Sequence, residues 1–207
     1  GGADSLIGAV SCLEEGNKVI LLGHYADTFA SSSQGVLIDK LKAYYPNQID
    51  YRSCFVRRTK EKTTDREFQL PPKCIKDHRI RSFLFLTLAL AHTEVLKTEQ
   101  IKIFENGIIS INVPLDYNRI GALSTRTTHP YFISIFKDIA SQVAGRNIYI
   151  QNPFILKSKI EMAEMMPEDK RSLLRLSHSC AKYDTIRWYN RLKYPRLEEL
   201  HPYMLLC

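Results

Sequence analysis

Short apolar runs alternate with amphipathic helical patterns along this chain, and that alternation most constrains its fold. Residues 19–23, Val-Ile-Leu-Leu-Gly, form a continuous apolar run with the length of a strand buried on both faces. A stripe at helical spacing precedes this run and consists of Leu6, Ile7, Val10 and Leu13. Strands that alternate with helices predict an α/β fold with a parallel, twisted sheet and helices on both faces.

The same patterns place the remaining elements. We expect helices over residues 6–15, 35–45, 78–97, 130–143 and 157–165, and strands over residues 19–23, 49–57, 100–104 and 147–151. The helix over residues 78–97 is apolar on most sides, which predicts burial. Small polar or charged residues predict loops over residues 30–34 and 58–77. In the second helix, the inward face is expected to contain Val36, Leu37, Leu41 and Tyr44.

Composition excludes some classes of protein. The 207 residues suit one substantial domain, or one domain with a small appendage, and 44% of them are hydrophobic. The longest apolar run, residues 83–91, is too short to span a membrane. Five widely spaced cysteines suggest no disulfide framework, so we expect a reducing, cytoplasmic environment. The net charge of +7 favours polyanionic partners such as nucleotides or nucleic acid, although a solvated basic surface carries the same excess.

Polar clusters fall where the predicted strands end, which is where parallel sheets bind ligands. They are His24-Tyr25, Glu105-Asn106-Gly107, residues 124–129 and Asn152. Gly1-Gly2-Ala3-Asp4-Ser5 precedes the first helix, where glycine backbone and a helix N-terminus suit a phosphate group. An ordinary glycine turn with an Asp or Ser cap has the same sequence. A phosphate turn normally follows a strand, and none precedes Gly1, so we expect the chain to be a segment.

Four segments carry a resemblance to a known family. Residues 1–5 resemble the end of the Ser-Gly-Gly-x-Asp-Ser loop (PP-loop) of N-type ATP pyrophosphatases. Residues 81–89, Arg-Ser-Phe-Leu-Phe-Leu-Thr-Leu-Ala, are similar to the buried helix of 7-cyano-7-deazaguanine (preQ0) synthases. Residues 152–154 and 158–161 resemble that family's Thr-Pro step and Lys-x-Glu helix start, and residues 177–180 resemble the approach to its first zinc cysteine. The order and spacing agree along nearly the whole chain.

The resemblance implies a fold, a domain organisation and a reaction. It implies a Rossmann-like PP-loop fold of the adenine nucleotide alpha hydrolase type over residues 1–165. Residues 166–207 then form an incomplete helical appendage with a possible zinc site. The reaction is an ATP-dependent ligation: with Mg²⁺, 7-carboxy-7-deazaguanine is activated as an adenylate and pyrophosphate is released. Ammonia then gives the amide, and a second activation gives 7-cyano-7-deazaguanine. ATP and this deazapurine acid are therefore the expected small-molecule partners, with no membrane partner and with a homodimer left open.

Roles for individual residues follow from the same resemblance. The implied residues are Gly1, Gly2, Asp4, Ser5, Tyr25 and Arg81 for ATP; Asp4, Ser5 and Lys159 for catalysis; Glu105, Asn106, Gly107 and His129 for the substrate; and Cys180 and Cys207 for Zn²⁺. Plainer interpretations remain open. Lys159 reads equally well as an exposed first-turn lysine, and residues 105–107 as a strand-end turn with Gly107 at positive φ. His129 reads as a capping or surface residue, Arg81 as half of a surface ion pair, and the two cysteines as buried thiols.

Departures from the family pattern keep two other functions open. His24-Tyr25-Ala26-Asp27 stands where the family has Asp-Tyr-Gly-Gln, and no Cys-x-x-Cys occurs in the chain. Because a closed zinc site needs four ligands, we expect the chain to be truncated at its C-terminal end as well. The departures suggest a divergent branch, similar to relatives in anti-phage defence, in which the acceptor is an amine on a protein or another macromolecule. A non-catalytic nucleotide- or nucleic-acid-binding module is the alternative of another class, supported by the aromatic and basic residues 187–196.

Overall fold

The computed structural model describes residues 2–24, 28–56, 81–111 and 128–177, and these residues form an α/β structure. In chain order the elements are α1 (Ala3–Glu14), β1 (Val19–His24), α2 (Thr28–Tyr44), β2 (Ile49–Cys54), α3 (Arg81–Leu96), β3 (Gln100–Lys102), α4 (Gly107–Ser110), α5 (Pro130–Ala144), β4 (Tyr149–Gln151), α6 (Lys159–Glu164) and a 3₁₀ helix (Glu168–Leu176). Within these ranges, no helix is both long enough and apolar enough to cross a membrane.

The described strands form two parallel pairs. β1 pairs with β2 in a register that runs from Val19 opposite Ile49 to His24 opposite Cys54. β3 pairs with β4, where the Tyr149 amide donates to the Glu99 carbonyl at 2.8 Å and the Ile103 amide donates to the Gln151 carbonyl at 2.9 Å. The second pair is parallel because residue numbers rise together on both strands, from Glu99 with Tyr149 to Ile103 with Gln151. The predicted α/β class and the parallel strands are confirmed. Among the described residues, each pair forms its own two-stranded sheet.

The chain divides into two compact units. The first contains the described residues up to Cys54, then Lys102–Gly107, and the described residues from Gln151 onward. The second contains the described residues within Phe55–Ile101 and Ile108–Ile150. The domain boundary between residues 165 and 166 that the resemblance implies stays a prediction.

Helix α1 contributes four side chains to the apolar core of the first unit. Its predicted stripe is buried, and it packs with α2, α6 and the 3₁₀ helix around a single apolar core; the core side chains are Leu6, Ile7, Val10, Leu13, Leu37, Leu41, Tyr45, Phe154, Met162, Met166 and Leu173. Gly8 lies where α1 approaches the Phe104 ring so closely that a Cβ atom would overlap it. Large side chains such as Phe104 and Phe154, whose ring centroids are 5.5 Å apart, therefore bring the end of β3 against α1.

A charged cluster fastens the 3₁₀ helix to α1 and α2. The Lys170 ammonium lies 3.1 Å from Glu14 and 3.0 Å from Asp169, and 5.6 Å and 5.4 Å from the ring centroids of Tyr44 and Tyr45. The Tyr45 hydroxyl donates a hydrogen bond to the Glu14 carboxylate. This bond and the neighbouring ammonium lower the pKa of Glu14 below its ordinary value of 4.5. Burial, and then the bond to Glu14, raises the pKa of Tyr45.

The Glu14 interactions predict a specific loss of stability in acid. Because the folded chain lowers the pKa of Glu14, its contribution is complete above pH 4.5 and is lost as the pH falls through the lowered pKa. In a Glu14→Gln variant this contribution is absent at every pH. We therefore expect the melting temperature of the variant to fall less between pH 6 and pH 3 than that of the parent. Equal falls, measured by circular dichroism, would contradict this assignment.

The second unit is held by aromatic contacts between α3 and α5 and by polar contacts from Arg146, which follows α5. The Phe83 ring meets the Phe132 and Phe136 rings edge-on at 6.3 Å and 5.7 Å. The Arg146 guanidinium donates to the carbonyls of Thr93 and Thr98, each at 3.0 Å. A cation that satisfies carbonyl groups at the C-terminal end of a helix is favourable for both hydrogen bonding and the helix dipole.

Three predictions about helices are wrong. Residues 30–34 belong to α2 rather than to a loop, because a helix already anchored by its buried residues adds a further turn at small cost even through serines. Of the predicted inward face of α2, Leu37 and Leu41 are buried, but Val36 is 50% exposed and Tyr44 is 42% exposed. Ile38 and, just after the helix, Tyr45 are buried in their place. The apolar helix α3 is not buried on all sides, since only Leu86 and Thr93 of its described side chains are buried.

Candidate functional site

The Asp4 carboxylate joins α1 to the end of β3. Asp4 lies in the first turn of α1, and its side chain is 14% exposed. Its Oδ2 atom accepts hydrogen bonds from Asn106 Nδ2 at 2.7 Å and from the Asn106 backbone amide at 3.3 Å. The N-cap of α1 is Gly2, and the Asp4 side chain bonds to Asn106 instead of capping the helix. An acidic side chain in the first turn is favourable because of the positive potential at a helix N-terminus.

An asparagine on the loop after β4 holds the segment that carries Asn106. Asn152 Nδ2 donates to the Glu105 carbonyl at 2.9 Å, and Asn152 Oδ1 accepts from the Glu105 amide at 3.3 Å. The same oxygen accepts from the Phe154 amide at 3.2 Å. The side-chain amide thus continues the β3–β4 pairing where the strands end.

Gly107 is required by a close approach and not by an unusual φ. Its amide donates to the Lys157 carbonyl at 2.9 Å, and a Cβ atom would lie 2.5 Å from the Ile155 carbonyl oxygen. The glycines with positive φ in the described chain are Gly16 and Gly145, so the predicted positive φ at Gly107 is wrong. Backbone contact between residue 107 and the segment 155–157 is what the glycine permits.

Lys159 faces Asp4 from the first turn of α6. Its Nζ atom lies 3.9 Å from Asp4 Oδ1, and its side chain is 40% exposed. A capping box sets the start of α6: Ser158 Oγ accepts from the Glu161 amide, and the Glu161 carboxylate accepts from the Ser158 amide at 2.7 Å. That backbone hydrogen bond, followed by the one from the Ser158 side chain, lowers the pKa of Glu161. At 3.9 Å, and with this exposure, the pair with Asp4 is weak enough for Lys159 to meet another anion.

This arrangement suits a phosphate group that has a cation bound to its oxygens. The N-terminus of α1 and the Lys159 ammonium attract negative charge, while Asp4 Oδ1 offers a carboxylate oxygen beside them. In the described ranges, no group of three or more His, Cys, Asp or Glu side chains is placed to hold a metal ion. Mg²⁺ fits this donor set nonetheless, because it is usually held by one or two carboxylates and by the substrate's own phosphate oxygens.

Beyond the residues above, the structure describes the side chains of two predicted site residues, Ser5 and His129. Ser5 is exposed in the first turn of α1, beside Asp4. His129 is the N-cap of α5, with Nδ1 accepting from the Tyr131 amide at 3.2 Å, and it belongs to the second unit. Arg81 begins α3, and its side chain is outside the description. Gly1, Tyr25, Cys180 and Cys207 lie outside the described residues.

Residues 158–161 and Asn152 were expected at a helix start and at a strand end, but their structural roles were not predicted. The Ser-x-x-Glu pattern at residues 158–161 is a capping-box signature and could have predicted that Ser158 caps α6. The clamp that Asn152 places on Glu105 has no comparable signature, because it depends on which strands are neighbours.

Comparisons of this chain with protein-family models, with curated proteins and with solved structures find no match.

Replacing Gly107 tests the close approach at this site. Gly107→Ala forces a methyl group against the Ile155 carbonyl, so we expect it to destabilise the chain by about 1–3 kcal/mol. The matched control is Gly35→Ala in α2, where a Cβ atom meets nothing within 4 Å; we expect it to stabilise the chain by about 0.5–1 kcal/mol. Urea denaturation measures both changes. A Gly107→Ala variant as stable as the parent would contradict the packing described.

Proposed function

We propose that the chain is an ATP-dependent ligase that activates a carboxylate as an adenylate, on a PP-loop fold of the Rossmann-like type. The observation that carries the proposal is the meeting of Asp4 and Lys159 at the N-terminus of α1. These two residues come from segments that resemble separate motifs of the 7-cyano-7-deazaguanine synthases. The parallel β1–β2 pair that follows α1 gives further support, because nucleotide sites of α/β folds lie where helices begin beside parallel strands.

The chemistry explains why such residues are needed. A carboxylate oxygen of the acid attacks the α-phosphorus of ATP, the bond from that phosphorus to the bridging oxygen breaks, and pyrophosphate leaves. The amine nitrogen then attacks the acyl carbon, loses a proton, and displaces AMP to give the amide. With ammonia as the amine, the amide oxygen attacks the α-phosphorus of a second ATP and pyrophosphate leaves; loss of AMP with that oxygen, and of the nitrogen's protons, gives the nitrile. The enzyme has to stabilise the charge that grows on pyrophosphate and to hold the acid in line.

Each residue of the site has a part in that task. Backbone N–H groups at Gly2 and the first turn of α1, together with the Ser5 hydroxyl, face the negative charge of the pyrophosphate group. Lys159 neutralises part of this charge. Asp4 would hold Mg²⁺, which would shield the charge of the phosphate oxygens. We propose 7-carboxy-7-deazaguanine as the acid and ammonia as the amine.

ATP–pyrophosphate exchange tests the proposal. With 7-carboxy-7-deazaguanine present, we expect the protein to incorporate labelled pyrophosphate into ATP. Asp4→Asn and Lys159→Met each remove a charged contact with the bound metal ion or pyrophosphate group. Such a contact is worth about 1.5–3 kcal/mol, so the rate of exchange should fall roughly 10- to 150-fold. Lys40→Met, at an exposed lysine of α2, is the matched control and should exchange like the parent.

The outcomes separate the competing functions. Absence of exchange from a protein that binds ATP would contradict the ligase proposal and favour a binding module. Exchange without formation of the nitrile from ammonia would keep the adenylation and point to a macromolecular amine as acceptor. Exchange that survives both Asp4→Asn and Lys159→Met would show that the site is elsewhere.

A further inference from the structure

Asn106 is placed to act on Asp4 and not on a substrate. Its residue surface is only 1% exposed, although its sequence position at the end of β3 predicts contact with a substrate. A residue so deeply buried leaves almost no surface for a ligand to touch. Two of its polar hydrogens are directed at a single carboxylate oxygen, Asp4 Oδ2. We propose that Asn106 is a positioning residue that orients the Asp4 carboxylate for the phosphate and its metal ion; this inference rests on the proposed function.

The two hydrogen bonds differ in a way that makes the side chain the stronger partner. The Nδ2 contact at 2.7 Å is short for a bond from an amide to a carboxylate, while the backbone contact is 3.3 Å. Together they occupy Oδ2 and fix the rotation of the carboxylate about its last bond. Oδ1 is then turned toward Lys159 Nζ, 3.9 Å away, on the side where a ligand would bind.

Asn106 can position Asp4 because its own backbone is held from both sides. Before it, Glu105 is clamped through its amide and its carbonyl by Asn152. After it, Gly107 is bonded to the Lys157 carbonyl, two residues before Lys159. The exit of β3 therefore sets the location of Asp4 directly and that of Lys159 through the loop that leads into α6.

A double-mutant cycle distinguishes positioning from direct contact. We measure kcat/KM for ATP–pyrophosphate exchange with 7-carboxy-7-deazaguanine in the parent, Asn106→Ala, Asp4→Ala and the double variant. Asn106→Ala alone should lower kcat/KM by about tenfold or more. In the Asp4→Ala background the same change should lower it by less than about twofold, since its effect passes through the missing carboxylate. Asn17→Ala is the control: Asn17 Nδ2 donates to the Cys12 carbonyl at the other end of α1, and its loss should leave kcat/KM unchanged.

Two results would overturn the positioning role. Losses that multiply in the double variant would show that Asn106 acts without Asp4, which overturns the positioning role while exchange by the parent upholds the proposed function. Absence of exchange in the parent overturns the proposed function and the positioning role with it. If Asn106→Ala does not fold, Asn106→Ser keeps a small polar side chain without the Nδ2 donor, and the same cycle applies to it.

Discussion

The hydrogen bonds from Asn106 to Asp4 are the contact on which the candidate site depends. They join the first turn of α1 to the end of β3, two segments that lie far apart in the chain. Without them, the Asp4 carboxylate in a first turn would face solvent or its own helix terminus. With them, Asp4 is 14% exposed and its Oδ1 atom lies 3.9 Å from Lys159 Nζ. The N-terminus of α1 therefore carries a carboxylate and an ammonium group side by side.

Packing around α1 keeps this contact in place. The apolar stripe of α1 is buried in the core of the first unit, and Gly8 admits the Phe104 ring where a methyl group would not fit. Phe104 lies two residues before Asn106, so the packing that seats this ring also brings the strand end to Asp4. Capping by Ser158 and Glu161 then begins α6 at Lys159. Apolar burial thus sets the backbone, and a few polar contacts set the side chains of the site.

Much of the fold could be predicted from the sequence because the local spacing of apolar residues determines its helices and strands. The stripe of α1 and the spans of β1 and α5 match the pattern within one or two residues, but β1 is not buried on both faces as predicted, since Ile20 is 41% exposed. The errors arise where local signals compete. Serines 31–33 suggested a loop, yet buried residues downstream extend α2 through them. A difference of one residue in helical phase also exposes Val36 and Tyr44 and buries Ile38 and Tyr45.

The candidate site could be predicted only in part. Because ligands bind at the ends of parallel strands, the sequence predicted that Asp4 and residues 105–107 belong together, and the resemblance added Lys159; the structure places all of them in one unit. The sequence could not predict that Asn106 is buried, or that Gly107 is needed because the backbone of Ile155 lies so close to it. Both features depend on neighbours from other segments of the chain. His129 illustrates the opposite case, in which a local role as helix cap accounts for the residue.

Hydrogen–deuterium exchange with and without ATP and Mg²⁺ tests the central claim most directly, namely that phosphate binds beside Lys159 and the Asp4 carboxylate that Asn106 holds in place. The account predicts slower exchange in peptides that cover the first turns of α1, residues 104–107 and the start of α6. It predicts unchanged exchange in α5, which carries none of the proposed ligand-binding residues. Protection confined to other segments, or no protection at ATP concentrations that saturate the protein, would contradict it.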